Sequence, residues 1–363
     1  MIDVAFFLPS LGNSGAERSA VLLANGLASR GLKIGVVVAT SEMELSTQLS
    51  ESISIESLSS RRVRRAIPRL VSYLEKNNPK TLLSFMAHAN AAAILASLCS
   101  RSRTKVIVFE RTSLASLLQQ SNGFQILYQC ILRQLYRLAN KIIANSEGGR
   151  RDLNRIALLP LSKISLLLNG IDYQEVSFKA QSKIPMSEEN LFRKKRVVLS
   201  VGRLVVEKNH AALIRIFSRL NRLIDYHLII IGDGPERENL IAMIDELNIE
   251  NSVSMLGHVT NPYPYMRLSR IFAHTSSREG FPNVILEAMA CGASIVAYDC
   301  RWGPSEILEG GKWGRLVELG NEDSFLMALE DLLSSPENQN VIQRAKEFDM
   351  NITTDNLLEI LAT

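Results

Sequence analysis

Several features that would assign a chemistry at once are missing from this chain of 363 residues. Its four cysteines, Cys99, Cys130, Cys291 and Cys300, form no C-x-x-C pair and have no histidine at metal-binding spacing. A zinc site and a disulfide framework are therefore not expected, and a reducing compartment is the default. No D-x-D sequence is present, so a magnesium clamp is not indicated. The G-x-G-x-x-G dinucleotide fingerprint is also missing, which disfavours a dehydrogenase.

Long apolar runs are missing as well. No stretch of about 20 residues is continuously apolar, so no membrane-spanning helix is predicted. The composition, 46% hydrophobic and 21% charged, is that of an ordinary globular protein, and the length predicts about two domains. Residues 1–180 hold 22 basic and 12 acidic side chains, and residues 181–363 hold 19 and 25. The basic first half favours an anionic partner, unless the asymmetry is an accident of surface composition.

Short apolar or β-branched runs alternate with helical patterns along the chain. This alternation predicts an α/β fold with two Rossmann-like, doubly wound parallel-sheet domains that face each other across a cleft. We place the first domain at residues 1–170, a polar linker at 171–196 and the second domain at 197–363. The predicted strands are Val4–Leu8, Ile34–Ala39, Thr81–Phe85, Lys105–Phe109, Lys141–Ala144, Ser165–Leu168, Val197–Val201, His227–Ile231, Ser252–Leu256, Ile271–Thr275, Ser294–Tyr298 and Gly314–Val317.

Loops that follow predicted strands carry residues suited to phosphate groups. After the first strand, Gly12 and Gly15 allow a tight turn into a helix whose N–H groups would face an anion, although a plain strand–helix turn explains them equally well. Arg203 and Lys208 follow the first strand of the second half, where two cations could neutralise a diphosphate; the alternative is a solvated loop. The turn at Gly232 looks mostly structural, although this glycine could let a nucleotide approach.

The segment REGFPNVILEAMACG places two carboxylates around a predicted helix start. Pro282 and Asn283 fit the first helical turn, and Gly292 is typical of a helix end. Glu279 then lies in the preceding loop, and Glu287 lies about one turn inside the helix. A diphosphate would dock on the helix N-terminus, while the carboxylates accept hydrogen bonds from sugar hydroxyls. The alternative is a helix with one exposed acid and one acid that favours the helix dipole.

The segments GNSGAER, VGRLVVEKN, LGHV and EGFPNVILEAMACG, in this order, resemble the retaining sugar-nucleotide glycosyltransferases of family four. The resemblance extends from about Leu8 to about Leu333. It implies the GT-B fold and transfer of a sugar from a nucleoside diphosphate donor with retention of anomeric configuration. It also implies that the second domain binds the donor and the first binds the acceptor.

The resemblance assigns roles to individual residues. Arg203 and Lys208 match the cations on the donor diphosphate, Glu279 the acid at the donor sugar, and Glu287 the acid at the ribose. Gly257–Val259 match the backbone beside the base. The full set of donor-site candidates is Gly15, Gly202, Arg203, Lys208, Gly257, His258, Val259, Glu279, Gly280, Phe281, Pro282, Asn283, Val284 and Glu287.

The first-domain candidates include one departure from the family pattern. Gly15 matches the glycine that lets the first loop approach the phosphates. Many relatives carry a histidine after the fifth strand, where this chain has Glu110 and Arg111. Enzymes of lipid-linked oligosaccharide assembly that transfer N-acetylhexosamines look similar at this point. Glu110 is a candidate helper in catalysis, and Glu110, Arg111 and His88 are acceptor-side candidates, although a lone histidine is more often structural.

The resemblance implies no protein nucleophile and no dedicated general base, because the leaving phosphate can take the proton of the acceptor. Arg203, Lys208 and the helix N-terminus would stabilise the leaving diphosphate, so neither a cofactor nor a metal is expected. The expected donor is a hexose or N-acetylhexosamine linked to a nucleoside diphosphate, with UDP favoured. The expected acceptor is a saccharide linked to polyprenyl diphosphate, in surface polysaccharide or glycan assembly. Nucleic acid is not an expected partner.

Two first-domain segments suit an anionic membrane surface. Ser60–Arg69 contains five arginines, and Gly123–Lys141 places Phe124, Tyr128 and Leu132 at helical spacing among basic residues. A basic amphipathic helix with aromatic residues can lie in a bilayer surface, but a core-facing helix with solvated arginines is equally consistent. We therefore expect a cytoplasmic protein that visits the inner face of the cell membrane.

Two alternatives stay open at this point. A GT-B sugar-nucleotide epimerase would share the two-domain cleft, but it should offer more acids and histidines in that cleft. A binding-only scaffold with a degenerate site is disfavoured by the intact Arg203, Lys208, Glu279 and Glu287.

Overall fold

Two separate parallel sheets organise the protein. The computed structural model describes residues 2–12, 14–111, 123–220, 226–334 and 340–362. One unit consists of Met1–Gly170 and Met350–Thr363, and the other of Ile171–Asp349. Each unit holds one sheet and the helices that cover it, which confirms the predicted pair of Rossmann-like folds.

The strands are β1 (Val4–Leu8), β2 (Ile34–Val38), β3 (Ser54–Ser57), β4 (Thr81–Phe85), β5 (Lys105–Glu110), β6 (Lys141–Ala144), β7 (Ile164–Leu166), β8 (Arg196–Val201), β9 (Tyr226–Ile231), β10 (Val253–Gly257), β11 (Ile271–His274), β12 (Ser294–Asp299) and β13 (Arg315–Glu318). The α-helices of the described residues are α1 (Gly15–Ser29), α2 (Ile67–Asn77), α3 (Ala87–Cys99), α4 (Gly123–Leu138), α5 (Glu147–Ile156), α6 (Tyr173–Lys179), α7 (Met186–Lys194), α8 (His210–Leu220), α9 (Arg237–Glu246), α10 (Tyr263–Leu268), α11 (Asn283–Ala290), α12 (Pro304–Ile307), α13 (Glu322–Ser334), α14 (Val341–Lys346) and α15 (Met350–Ala362).

The two sheets share one strand order. The first runs β3-β2-β1-β4-β5-β6-β7 and the second β10-β9-β8-β11-β12-β13, with all neighbouring strands parallel. In both sheets the direction of winding reverses beside the first strand, between β1 and β4 and between β8 and β11. Such a reversal opens a crevice at the carboxyl ends of the two strands, which is where open α/β sheets bind ligands.

The central strands are mostly apolar because helices cover both faces of each sheet. All five residues of β1 and all six of β9 are buried. Continuous apolar runs of this kind are typical of parallel strands, and they explain why twelve of the strands could be predicted. β3 was not predicted, because its sequence SIES is polar and its residues at the sheet edge are largely exposed.

The C-terminal segment belongs to the first unit, so its assignment to a 197–363 domain was wrong. Residues 350–362 form α15, which packs on α1 and buries Met350 and Leu357 in the core of the first sheet. An ion pair of 2.6 Å between Arg30 Nε and Asp355 Oδ1 lies at the same contact. The helix returns because its apolar face completes a core whose strands lie more than 100 residues earlier.

The segment 171–196 is part of the second unit and not a free linker. It forms α6 and α7 and runs into β8. Asn261 Nδ2 donates to the Lys179 carbonyl at 3.0 Å, and Arg267 Nε donates to the Ala180 carbonyl at 2.7 Å. The polar composition that suggested a linker therefore reflects helices with one solvent-facing side.

Candidate active site

The second sheet brings two of the predicted loops together. The loop after β8 carries Arg203 and Lys208, and the loop after β11 carries Glu279. β8 and β11 are paired neighbours on either side of the winding reversal, so their carboxyl ends open into the same crevice.

Backbone hydrogen bonds hold the loop after β8 against the end of β9. The Gly202 amide donates to the Ile231 carbonyl, and the Leu204 amide donates to the Asp233 carbonyl, each at 2.9 Å. Leu204 is fully buried, whereas Arg203 beside it is exposed. Within the described part of the chain, the Arg203 guanidinium forms no ion pair, so it is available to an anion.

The Gly-rich turn after β9 packs against the backbone of this loop. Gly232 and Gly234 have φ values of +146° and +157°. A Cβ atom on Gly232 would lie 1.8 Å from the Gly202 carbonyl oxygen, and one on Gly234 would lie 2.4 Å from that of Leu204. Both glycines are therefore required by the close approach of the backbone of the loop after β8. This arrangement favours the structural interpretation of the turn.

Lys208, Glu279 and His274 meet in one cluster. Lys208 Nζ lies 2.5 Å from Glu279 Oε1, and His274 Nε2 lies 3.3 Å from the same oxygen. Burial raises the pKa of the Glu279 carboxyl, but the nearby His274 and the charge of Lys208 outweigh it and lower the pKa to about 2. Burial lowers the pKa of His274, so its ring is neutral at pH 7. The cluster thus holds an ionised carboxylate and an ammonium, with a neutral imidazole beside them.

The backbone of Glu279 is fixed from both sides. Its amide donates to the Arg301 carbonyl at 2.8 Å, and its carbonyl accepts from the Trp302 amide at 2.9 Å. Gly280–Pro282 then lead into α11, whose N-cap is Pro282 and whose start has no side-chain cap. The predicted helix start is confirmed, and its positive dipole end lies a few residues from Glu279.

Sequence reasoning missed two histidines at this site. His274 is the last residue of β11, and His210 is the first residue of α8; both are buried. Burial, with the neighbouring His274 and Lys208, lowers the pKa of His210 to about 4. The signal for His274 was its place at the carboxyl end of a predicted strand, five residues before Glu279. His210 offered none, because its burial comes from tertiary packing.

The remaining donor-site candidates lie on neighbouring elements. Gly257 ends β10 with a φ of +73°, and its carbonyl accepts from the Gly232 amide at 2.8 Å. His258 is exposed and Val259 is half-buried. Glu287 is half-buried on α11, and it adds to the effect of burial in raising the pKa of the Cys291 thiol to about 12. Their roles at the ribose and the base stay predictions.

In the first unit, Glu110 and Arg111 are built into the end of β5. Glu110 is buried, and its carboxylate accepts from Tyr136 Oη at 2.5 Å and from the Arg111 amide at 3.1 Å. Burial lowers the pKa of the Arg111 guanidinium to about 10. Its Nη2 donates to Ser19 Oγ at 3.2 Å, and its carbon Cζ lies 5.4 Å from the centre of the Phe109 ring. These contacts favour a structural role for Glu110, and its part in catalysis stays a prediction.

The other first-unit candidates lie at helix starts. Gly15 begins α1, and a Cβ atom there would meet nothing within 4 Å, so no close approach within the unit requires this glycine. The start of α1 is closed by a capping box between Ser14 and Glu17. His88 lies in the first turn of α3, and partial burial of its ring lowers the pKa.

Comparison with known proteins identifies the family. Residues 13–175 match the family description "Glycosyltransferase Family 4", and residues 182–348 match "Glycosyl transferases group 1". A 4-alpha-N-acetylgalactosaminyltransferase of Campylobacter jejuni, acting on N-acetylgalactosamine-N,N'-diacetylbacillosaminyl-diphospho-undecaprenol by its name, is 33% identical over 283 residues. That match covers 76% of this chain and 75% of the relative. The chain belongs to the family-four glycosyltransferases.

Other relatives agree with this assignment. The amylovoran biosynthesis glycosyltransferase AmsD of Erwinia amylovora is 25% identical, over 73% of this chain and 71% of its own. Among solved structures, Alr3699/HepE of Anabaena in complex with UDP and glucose superposes with a TM-score of 0.83 at 20% identity, and the match covers 99% of both chains. The glycosyltransferase therefore has the predicted GT-B fold.

The described residues offer neither a metal-binding cluster nor a membrane-spanning helix. Three or more His, Cys, Asp or Glu side chains never cluster there in a way that could hold a metal ion. In the same residues, every helix is too short or too polar to cross a bilayer.

Proposed function

We propose that this glycosyltransferase moves an N-acetylhexosamine from a UDP-sugar to a saccharide carried on polyprenyl diphosphate, with retention of anomeric configuration. The observation that carries the donor half of the proposal is the contact of Lys208 with Glu279, with exposed Arg203 on the same loop as Lys208. A cation for phosphate and an acid for sugar hydroxyls thus lie side by side at one crevice.

The chemistry follows from where charge develops. As the bond between sugar and diphosphate breaks, negative charge grows on the leaving phosphate and positive charge on the anomeric carbon. Arg203 and Lys208 stabilise the first, together with the N-terminal end of α11. The ionised Glu279 lies next to the second charge, and it accepts hydrogen bonds from the sugar. The leaving phosphate takes the proton of the acceptor hydroxyl, so neither a dedicated base nor a metal is needed.

The acceptor half rests on relatives and on charge. Two Campylobacter jejuni relatives, 33% and 23% identical, are named for transfer to undecaprenol-linked saccharides. The first 180 residues carry the excess of basic side chains, and Arg61, Arg62, Arg64 and Arg65 are all exposed. A diphosphate-linked lipid substrate is anionic and lies at a membrane, so both features suit it.

The same argument extends to the membrane surface. Leu127, Ile131 and Leu138 are exposed on α4, and Arg137 lies on the same helix. The side chains of Phe124, Tyr128 and Leu132 lie outside the described residues. We propose peripheral binding to the cytoplasmic face, and flotation with vesicles tests it. Binding to vesicles with anionic lipid, and none to neutral vesicles, is the expected result; no binding to either contradicts it.

A donor screen tests the enzymatic proposal. Purified protein is titrated with UDP, GDP and UDP-N-acetylhexosamines, followed by thermal shift and calorimetry. A ligand at 100 times its dissociation constant should stabilise the fold by about 2.7 kcal/mol. Incubation of the donor alone separates transfer from epimerisation, and the anomeric proton of the product reports retention. Binding of GDP without binding of UDP would refute the proposed UDP-sugar donor. A product with inverted anomeric configuration would refute the proposed retention.

A further inference from the structure

Within the described residues, the ring nitrogen Nε2 of the histidine at the end of β11 forms no hydrogen bond. His274 is only 4% exposed, and its Nε2 lies 3.3 Å from Glu279 Oε1. The distance is short, but the geometry falls short of a hydrogen bond, and Nε2 finds no other partner among the described residues. A buried ring nitrogen without a hydrogen bond costs stability, so a group in this state calls for an explanation.

In the proposed donor site, Glu279 would need a new hydrogen-bond donor once a ligand binds, and Nε2 of His274 can provide it. In the free protein, Lys208 Nζ contacts Glu279 Oε1 at 2.5 Å. A donor diphosphate would draw the ammonium towards its own oxygens. The Glu279 side chain, only 12% exposed, would then lose its cation, and a buried carboxylate without compensation is strongly destabilised.

We propose that His274 is a positioning residue. It hydrogen-bonds the Glu279 carboxylate in place of Lys208 when the Lys208 ammonium contacts the donor diphosphate. Its Nε2–H then donates to Oε1 and keeps the carboxylate oriented towards the sugar. The inference rests on the proposed function, because it assumes a sugar diphosphate at this crevice.

The surroundings explain why an imidazole suits this task. A neutral ring donates one hydrogen bond from Nε2 in one of its two tautomers, and it adds no charge that would compete with the phosphate for Lys208. The neighbouring titratable side chains His210 and Cys300 also bring no positive charge at pH 7. Burial lowers the pKa of His210 to about 4, while burial and the charge of Glu279 raise the pKa of the Cys300 thiol to about 12.

Two substitutions at one position separate positioning from packing. His274→Leu removes the donor, whereas His274→Gln keeps an amide N–H near the place of Nε2. We expect His274→Leu to lower kcat with UDP-sugar by roughly tenfold or more, the range for a lost hydrogen bond to a charged group. Its dissociation constant for UDP, which lacks the sugar, should stay within about twofold of the original. His274→Gln should recover most of the lost kcat.

The matched control is His227→Leu. His227 is also buried in a strand of this sheet, but it lies near the amino end of β9, where its Nε2 contacts Ser254 Oγ at 2.8 Å. We expect this variant to lose stability and keep its kcat. If His274→Leu does not fold, His274→Asn replaces it, because the shorter amide does not reach the position of Nε2.

Three outcomes would overturn the positioning role: unchanged kcat in His274→Leu, equal losses in the Leu and Gln variants, or a parallel loss of UDP affinity. A parent protein that binds no UDP and transfers no sugar would refute the proposed donor class itself. The two failures are therefore distinguishable, because the parent protein reports one and the variants report the other.

Discussion

The ion pair at the site makes a quantitative prediction for Glu279→Gln. The pKa of the Glu279 carboxyl, 4.5 in the reference state, is lowered to about 2 in the folded protein. Because the folded pKa lies below the unfolded one, the carboxylate stabilises the fold above about pH 4.5, and this stabilisation is lost as the pH falls towards 2. At 1.36 kcal/mol per pKa unit, the full effect is about 3 kcal/mol near pH 7, and roughly 2 kcal/mol of it should disappear between pH 5 and pH 3.

The assay can observe the second unit selectively. The two tryptophans of the chain, Trp302 and Trp313, both lie in that unit, so their fluorescence during urea unfolding reports its stability. We expect the difference in unfolding free energy between the parent protein and Glu279→Gln to be constant from pH 7 to pH 5 and to shrink below pH 5. A difference that is flat from pH 5 to pH 3 would refute the inference that Lys208 and His274 lower this pKa.

Further perturbations test the donor site, its support and the corrected domain boundary. Lys208→Met should lower kcat by on the order of a hundredfold, the loss typical for one charge-stabilising group. The control Lys312→Met, which changes an exposed lysine, should leave kcat unchanged. Equal losses in the two variants would contradict the role assigned to Lys208. Gly232→Ala forces a Cβ atom onto a backbone oxygen 1.8 Å away and should unfold the second unit at clearly lower urea, whereas Gly320→Ala, with nothing within 4 Å, should cost only about 1 kcal/mol for its positive φ. Leu357→Ala should destabilise the first unit by roughly 2–5 kcal/mol. We expect faster hydrogen exchange in that unit and an unchanged unfolding transition in tryptophan fluorescence. A shift of the tryptophan transition would instead place α15 on the second unit. Transfer activity should survive excess EDTA, since two cations serve the diphosphate, and its loss with recovery on added Mg²⁺ would contradict the metal-free proposal.

Much of the fold could be predicted because parallel sheets leave a strong pattern in the sequence. Strands covered on both faces are rich in apolar residues, so β1 can be recognised from VAFFL and most of β9 from LIII. The missed strand β3 lies at an edge, where one side faces solvent and the pattern weakens. The C-terminal helix was assigned to the wrong unit for a different reason. Its apolar face predicts that it packs on a core, but the pattern contains nothing that says which core.

The site divides in the same way. Residues that follow predicted strands, such as Lys208 and Glu279, could be chosen from sequence because strand order places their loops at one end of the sheet. Their direct contact could not be predicted, since it depends on the hydrogen bonds that hold each loop, here to the Ile231 carbonyl for one loop and to the Trp302 amide for the other. The geometry of these loops therefore depends partly on neighbouring backbone groups, which no motif in the sequence identifies.

This division explains why His274 escaped sequence reasoning and why the site needs it. Lys208 and Glu279 are paired with each other in the free protein. If a bound donor draws the Lys208 ammonium away, the buried Glu279 carboxylate needs another hydrogen-bond donor. A second cation would hold the carboxylate too tightly and add charge to a buried place. A neutral donor at the end of β11, five residues before Glu279, costs less in the free state and contributes only when the ligand binds. Such a residue has no motif in the sequence, because its function depends on the movement of its neighbour.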